Sequence, residues 1–151
     1  MARARMLVVA LVVMTVTVVV PAAPAVASSP AAKMIAKVNA YRQNHGLAAL
    51  HMSRSLNHSS HSYAGHMMHS GYFGHAARIH ASRRFRRLGE IIEMHRGSRS
   101  DVGGALRAWI NSPGHNAILL DGSFSYVGAG KVSGSFQGRR TTMWVMHFGR
   151  K

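Results

Sequence analysis

The sequence has no cysteine and only four acidic residues among 151. Without cysteine the chain forms no disulfide, although many small exported domains depend on disulfides for their stability. No CxxC metal motif, HExxH motif, phosphate-binding glycine loop or Gly-x-Ser-x-Gly elbow occurs. The longest apolar run is about 15 residues, which is short of the roughly 20 that span a bilayer. The fold must therefore be held by ordinary packing, and the common sequence-encoded catalytic motifs are excluded.

Basic residues are as abundant as acidic residues are scarce. There are 19 lysines and arginines, and the formal net charge is +15. A surface of this charge attracts polyanions, which for an exported chain are anionic cell-wall polymers, anionic lipids or extracellular nucleic acid. An arginine-rich genome would explain the excess equally well, so the charge alone assigns no partner.

The first 27 residues follow the order of a secretory signal peptide. Arg3 and Arg5 precede the apolar run at 6–20, and Ala25 and Ala27 are the small residues of a cleavage signal. We expect a Sec-type signal with cleavage near Ala27 and a secreted product of one-domain length. Retention of this segment as an N-terminal membrane anchor is the alternative.

The rest of the chain mixes helical and strand patterns, which predicts an α+β fold with helices packed on an antiparallel sheet. The glycine-containing stretch GSFQGRR between the last two strands predicts a hairpin. The segment 71–88 has no regular pattern. Helices are predicted at 30–45, 53–69 and 100–111 and in a short stretch after Ser112, and strands at 90–96, 126–135 and 141–148. Ser98 or Ser100 is the expected N-cap of the helix at 100–111.

Four histidines of the second predicted helix lie away from its apolar stripe. The stripe includes Leu56, Tyr63 and Met67 and must face the core. We therefore expect these histidines to face solvent rather than to form a specific metal site. They are His58, His61, His66 and His69.

His115 lies near the start of the short helix, in the stretch WINSPGHNAILL. Ser112 is a typical N-cap, and Pro113 is typical of the first helical position. The positive end of the helix dipole disfavours the imidazolium, so we expect a neutral His115 at pH 7, the form that binds metal or acts as a base. A buried histidine that donates to a carbonyl is the alternative.

Acidic residues are scarce, so one that lies beside apolar residues stands out, and Glu90 lies in LGEII. In a regular strand it shares one face with Ile92, while Glu93 lies on the other face. A buried carboxylate needs a partner, which would be a histidine or an arginine. The alternative is a surface ion pair with the nearby arginines. His75 lies in a comparable context of small and aromatic residues, YFGH.

Six motifs, in order, resemble the bacterial branch of the CAP superfamily, which includes cysteine-rich secretory, antigen-five and pathogenesis-related proteins. They are VNAYRQNHGLAAL, GYFGH, GE before Ile-Ile, WINSPGH, YVGAG and WVMHFG. We place the CAP domain at 34–150, with 28–33 as a linker. The resemblance implies an α-β-α sandwich with a central antiparallel sheet, and a cleft in which His75, Glu90 and His115 meet.

The chain departs from the family pattern in three places. Ile91 stands where an asparagine follows the glutamate, and Asn116 stands where an arginine follows the histidine. The segment between His75 and Glu90 is short and rich in arginine. A second cleft glutamate, present in animal and plant members, has no clear counterpart here, because Glu93 is expected to point away from Glu90.

Three functions remain open. The first is a monomeric, non-enzymatic module whose cleft binds a lipid, a glycan or a divalent metal; it is favoured because no Ser, Thr or Cys lies in sequence beside both a histidine and an acid. The second is a hydrolase in which His75 and His115 hold zinc or another divalent metal and Glu90 is the base. The third is a cationic wall-binding protein that uses the arginines of 78–87. Phe85 is the lone aromatic residue there, so specific nucleic-acid recognition is not expected.

Overall fold

The computed structural model describes residues 28–151 and has an α+β fold. The predicted signal peptide and its cleavage position lie outside the described residues. Within 28–151, none of the helices combines the length and apolar character needed to cross a membrane. The helices are α1 (Pro30–Asn44), α2 (Arg54–Ser70), α3 (Val102–Ile110) and α4 (Pro113–Leu119), and the strands are β1 (His51–Met52), β2 (Arg87–Arg96), β3 (Tyr126–Phe136) and β4 (Arg139–Arg150).

The four strands form one sheet in the order β1-β3-β4-β2. β4 pairs antiparallel with both β3 and β2, and only the two-residue β1 runs parallel to its neighbour. The predicted hairpin is present, and its turn at Gln137 and Gly138 has positive φ angles of 49° and 77°, as tight hairpin turns require. β1 was not predicted, because two residues carry no detectable pattern.

Side-chain caps fix where the longer helices begin. The hydroxyls of Ser29 and Ser53 accept from backbone N–H groups three residues later. For α3 the expected serine cap is wrong: Asp101 caps the helix and accepts from Gly104 N at 2.7 Å, because a carboxylate at this position also benefits from the helix dipole. Ser112 is the N-cap of α4 as predicted, but its side chain makes no capping bond.

The sheet lies between two helical layers, which gives the expected α-β-α sandwich. Apolar residues of α1 and α3 pack on one face of the sheet against the alternate β4 residues Trp144, Met146 and Phe148. α2 packs on the other face, against Met143 and Val145. The side chains of β4 therefore alternate between two separate cores.

Two glycines of β3 let α2 lie directly on the sheet. A Cβ at Gly128 would overlap the backbone of Leu56 and Asn57, and a Cβ at Gly130 would overlap the backbone of His61. This close approach brings the buried serines at the centre of α2 against β4. It is the packing feature that positions the candidate site.

Candidate functional site

Glu90 is the centre of the site, and three donors hold its carboxylate. One oxygen, Oε1, lies 2.8 Å from His75 Nδ1 and accepts from the Ala76 N–H at 2.9 Å. The other, Oε2, lies 2.9 Å from His147 Nε2. Burial would raise the pKa of Glu90, but the hydrogen bonds from His147, Ala76 and His75 outweigh it, so its pKa lies below the ordinary value. Glu90 is therefore a carboxylate at neutral pH, and the alternative of a surface ion pair with arginines is wrong.

His75 and His115 lie beside each other at the exposed side of Glu90. Their ring centroids are 6.0 Å apart. His75 lies in the segment after α2. The Tyr63 hydroxyl of α2 holds that segment by donating to Gly74 O at 2.7 Å. The structure thus brings the three expected residues together, with His75 in contact with Glu90 and the ring of His115 next to that of His75. We call these three residues and His147 the histidine-glutamate cluster.

The pKa of His115 lies below its ordinary value, chiefly because of burial and secondly because of the neighbouring His75. The neutral imidazole expected from the sequence is therefore favoured, with burial as the first cause and His75 as the second. Asn116, a departure from the family pattern, accepts a hydrogen bond from the Tyr41 hydroxyl at 2.9 Å. That bond ties α4 to α1 and so helps to fix the helix that carries His115.

The departure at Ile91 has no direct effect on the cluster. Ile91 is fully buried in the core beneath α1 and α3, on the face of β2 opposite Glu90. Glu93 also stays out of the cluster, as expected, and pairs with His95 at 3.0 Å.

His147 is a site residue that the sequence analysis missed. It is 1% exposed and lies directly opposite Glu90 in the β2–β4 pairing. Its Nδ1 lies 2.8 Å from Ser59 Oγ, and its backbone N–H donates to Ser60 Oγ. The signal in the sequence was a histidine within the apolar strand WVMHFG, where a buried polar side chain needs a partner.

The histidine-glutamate cluster fixes the tautomer of neutral His147. An ionised carboxylate can only accept, so the proton of the ring lies on Nε2 and is donated to Glu90. Nδ1 then carries a lone pair, and the Ser59 hydroxyl donates to it. Ser59 was not expected to be near a histidine and an acid, because the three residues come from α2, β4 and β2. The missed signal was the pair of small polar residues, Ser59 and Ser60, within the buried stripe of α2.

A cavity of about 460 Å³ lies between α2 and the segment 76–80. We call it the α2 cavity. Its walls are mostly apolar, and Ser59 and His147 form part of them. Its other lining residues are His58, Ser62, Tyr63, His66, Ala76, Ala77, Arg78, Ile79 and His80.

The four histidines of α2 are exposed, as expected from the helical pattern. His58 and His66 nevertheless border the α2 cavity. No group of three or more metal-ligating side chains suited to an ion occurs within residues 28–151. Since catalytic zinc takes three protein ligands and structural zinc takes four, His75 and His115 fit only a weakly held divalent ion completed by water or a ligand.

Of the arginines in the segment between His75 and Glu90, only Arg78 borders the α2 cavity. Arg87 pairs with Asp121 at 2.8 Å. Arg83, Arg84 and Arg86 are exposed and form a basic surface outside the lining of the α2 cavity.

Comparison with known proteins identifies the family. The model of the CAP family, described as the cysteine-rich secretory protein family, matches residues 35–148. An uncharacterized protein of Bacillus subtilis, YkwD, is 29% identical over 136 residues, which cover 83% of this chain and 49% of YkwD. The chain therefore spans about half the length of this curated relative.

Solved structures agree in fold. An extracellular SCP-domain protein of Bacillus anthracis is 24% identical with a TM-score of 0.64, over 81% of this chain and 40% of that protein. An outer surface protein of Borrelia burgdorferi is 17% identical with a TM-score of 0.65, over 79% of this chain and 90% of that protein. Because the family match covers most of the sequence and the fold agrees, this cysteine-free chain belongs to the cysteine-rich secretory protein (CAP) family, in its bacterial form.

Proposed function

We propose that this protein acts outside the cell as a ligand-binding module and holds a small amphipathic anion in the α2 cavity. The signal-peptide pattern at 1–27 and the extracellular or surface character of the related bacterial proteins support export. The domain at 34–150 would be the secreted, monomeric part.

The observation that carries the proposal is the α2 cavity itself. Its volume of about 460 Å³ falls in the range of small-molecule sites, which are mostly apolar with a few polar groups. Ala76, Ala77 and Ile79 offer an apolar wall for an alkyl chain. Such a wall selects a lipid-like ligand over a glycan.

The charge at the α2 cavity selects an anion. Arg78 and the imidazoles of His58, His66 and His80 all border it. None of the four acidic residues, all of which fall within 28–151, lines it. A carboxylate or phosphate head group would receive charge-assisted hydrogen bonds from these donors.

The test is calorimetric titration of the secreted protein with decanoate. We expect saturable binding that Arg78→Ala weakens about tenfold, since a hydrogen bond to a charged group contributes about 1.5–3 kcal/mol. Arg84→Ala is the matched control, because Arg84 is an exposed arginine of the same segment outside the cavity lining. Absence of binding, or equal affinity in the two variants, contradicts the proposal.

A salt series separates this proposal from binding of cell-wall polyanions by the exposed arginines. Polyanion binding falls steeply with salt because counterions are released. Binding of decanoate should fall much less, since most of its contacts would be apolar. A decanoate affinity that collapses between low and high salt would favour the basic surface.

A second candidate function is binding of zinc or another divalent ion between His75 and His115. Glu90 holds His75 by Nδ1, which leaves Nε2 available, and such carboxylate support orients metal-ligating histidines. In zinc titrations His75→Ala should weaken binding at least tenfold, whereas the exposed α2 variant His69→Ala should not. Equal zinc affinity of His75→Ala and His69→Ala would contradict this second candidate function. A bound ion would supply Lewis acidity, and Glu90 would orient His75.

A further inference from the structure

We propose that Ser59, His147 and Glu90 form an acyl-transfer centre at the floor of the α2 cavity, with the Ser59 hydroxyl as nucleophile toward esters of short-chain carboxylic acids. The choice of substrate class rests on the proposed function, since the α2 cavity would hold the acyl chain.

The three side chains form a continuous chain of hydrogen bonds. Ser59 Oγ lies 2.8 Å from His147 Nδ1, and His147 Nε2 lies 2.9 Å from Glu90 Oε2. A hydroxyl, an imidazole and a carboxylate in this order activate the nucleophile of serine hydrolases. Here the two ring nitrogens are exchanged, since Nδ1 faces the serine.

These hydrogen bonds run in the direction that activates a nucleophile, because the serine hydroxyl donates to the imidazole and the imidazole donates to the carboxylate. Glu90 accepts from Nε2, so the neutral ring turns a lone pair toward Ser59. Glu90 is itself held in place by His75 and the Ala76 N–H. His147 is therefore oriented as a general base for the Ser59 hydroxyl.

The centre is open to the α2 cavity, although the serine is deeply placed. Ser59 is 4% exposed, and both it and His147 line the cavity. Ser62 lies three residues further along α2, on the same side of the helix, and also lines the cavity. Its hydroxyl is the donor we assign to the oxyanion.

The reaction needs no metal and no cofactor. Ser59 Oγ bonds to the ester carbonyl carbon while its proton passes to His147 Nδ1. The bond to the leaving alcohol breaks, and His147 returns the proton to that alcohol. Water then attacks the acyl-serine and gives a proton to His147 Nδ1. The bond between the acyl carbon and Ser59 Oγ breaks, His147 returns the proton to Ser59 Oγ, and the carboxylic acid leaves.

The test uses a fluorophosphonate probe and p-nitrophenyl butyrate, both with a chelator present. We expect a mass-spectrometric adduct on Ser59, and Ser59→Ala should abolish it and lower kcat/KM at least about 100-fold. Ser70→Ala, at the exposed end of the same helix, is the control and should keep both. An adduct only on another serine, or no adduct at all, overturns the proposal.

Glu90→Gln provides a variant that keeps the shape of the site. Its amide can donate to His147 Nε2, which moves the ring proton to Nδ1 and makes Ser59 an acceptor. Glu90 is a positioning residue, so the variant should stay folded by circular dichroism yet lose labelling of Ser59. Unchanged labelling in this folded variant contradicts the proposal.

Decanoate binding separates the two proposals. If the secreted protein binds decanoate but gives no adduct, the acyl-transfer centre is wrong and the ligand-binding module stands. If decanoate does not bind but the adduct forms on Ser59, the ligand class is wrong and the nucleophile stands.

Discussion

The two faces of the sheet differ in the kind of contact that holds a helical layer on each. Beneath α1 and α3 the core contains large apolar side chains, among them Trp109, Trp144 and Phe148. Beneath α2 the strands carry His147 and Glu90, and α2 contributes buried serines. Apolar area stabilises both faces, but the second face adds close backbone packing and directed hydrogen bonds around Glu90.

This difference explains why the candidate site lies on the α2 face. An apolar core tolerates changes that keep its volume, but a buried polar network is costly when one member is lost. A set of titratable groups can be held in fixed orientation only where every donor and acceptor is paired. The α2 face meets that condition around Glu90.

The largest expected loss of stability comes from a substitution at the point where α2 packs closely against β3. Gly130→Ala would place a Cβ against the backbone of His61, which cannot move aside without shifting α2. We expect a loss of about 3 kcal/mol or more in unfolding free energy, measured by urea denaturation. Gly134→Ala on the same strand is the control.

At Gly134 the added Cβ would meet only the flexible side chain of Met68 at 3.3 Å. We therefore expect Gly134→Ala to change the unfolding free energy by less than about 1 kcal/mol. Similar losses at Gly130 and Gly134 would mean that the α2 face does not depend on backbone contact.

The second effect concerns the carboxylate of Glu90. Glu90→Ala leaves the buried Nε2–H of His147 without its acceptor, and an unsatisfied buried donor costs about 1–3 kcal/mol. Glu93→Ala is the control on the same strand, since within residues 28–151 Glu93 pairs only with His95 and burial raises its pKa. Because burial already disfavours the charged form of Glu93, we expect a loss of about 1 kcal/mol or less there by urea denaturation, which is the usual net contribution of one hydrogen bond. Equal losses of unfolding free energy in Glu90→Ala and Glu93→Ala would contradict this difference between the two carboxylates.

Local patterns in the sequence were sufficient to predict most of the fold. Helical spacing and caps located α1 and α2, and the glycine-containing stretch GSFQGRR located the hairpin. The start of α3 was placed too early, because Ser98, Ser100 and Asp101 are all acceptable caps and only tertiary contact selects among them. The short β1 forms because its neighbour β3 supplies a partner.

The site was only partly predictable, for a physical reason. The positions of His75, Glu90 and His115 follow from short motifs that resemble the family. The contact of His147 with Glu90 depends on the register of β2 against β4, and the contact with Ser59 depends on how α2 lies on the sheet. Both are long-range features that no local pattern specifies.

The third effect compares the two buried tryptophans. Trp109 Nε1 donates to Ile92 O at 2.9 Å, whereas Trp144 Nε1 has no partner among the described residues. Replacement by phenylalanine removes a similar volume at each position. Trp109→Phe should cost about 1 kcal/mol more in urea denaturation than Trp144→Phe, because it alone loses a hydrogen bond. The reverse order would show that Trp144 does have a hydrogen-bond partner.

The smallest expected effect is the change of unfolding free energy with pH, since a change of pH alters only the ionisation of side chains. The pKa of Glu90 is lowered on folding, so its contribution to stability is present above the unfolded pKa and is lost as the pH falls through the folded pKa. The pKa of Glu93 is raised by burial, so its contribution is present below the unfolded pKa and is lost as the pH rises through the folded pKa. The test is urea unfolding from about pH 3 to pH 7, which spans the glutamate range. The difference in unfolding free energy between wild type and Glu90→Gln should shrink as the pH falls. The difference between wild type and Glu93→Gln should shrink as the pH rises. Parallel curves for the two variants would mean that the two faces of β2 hold their carboxylates alike.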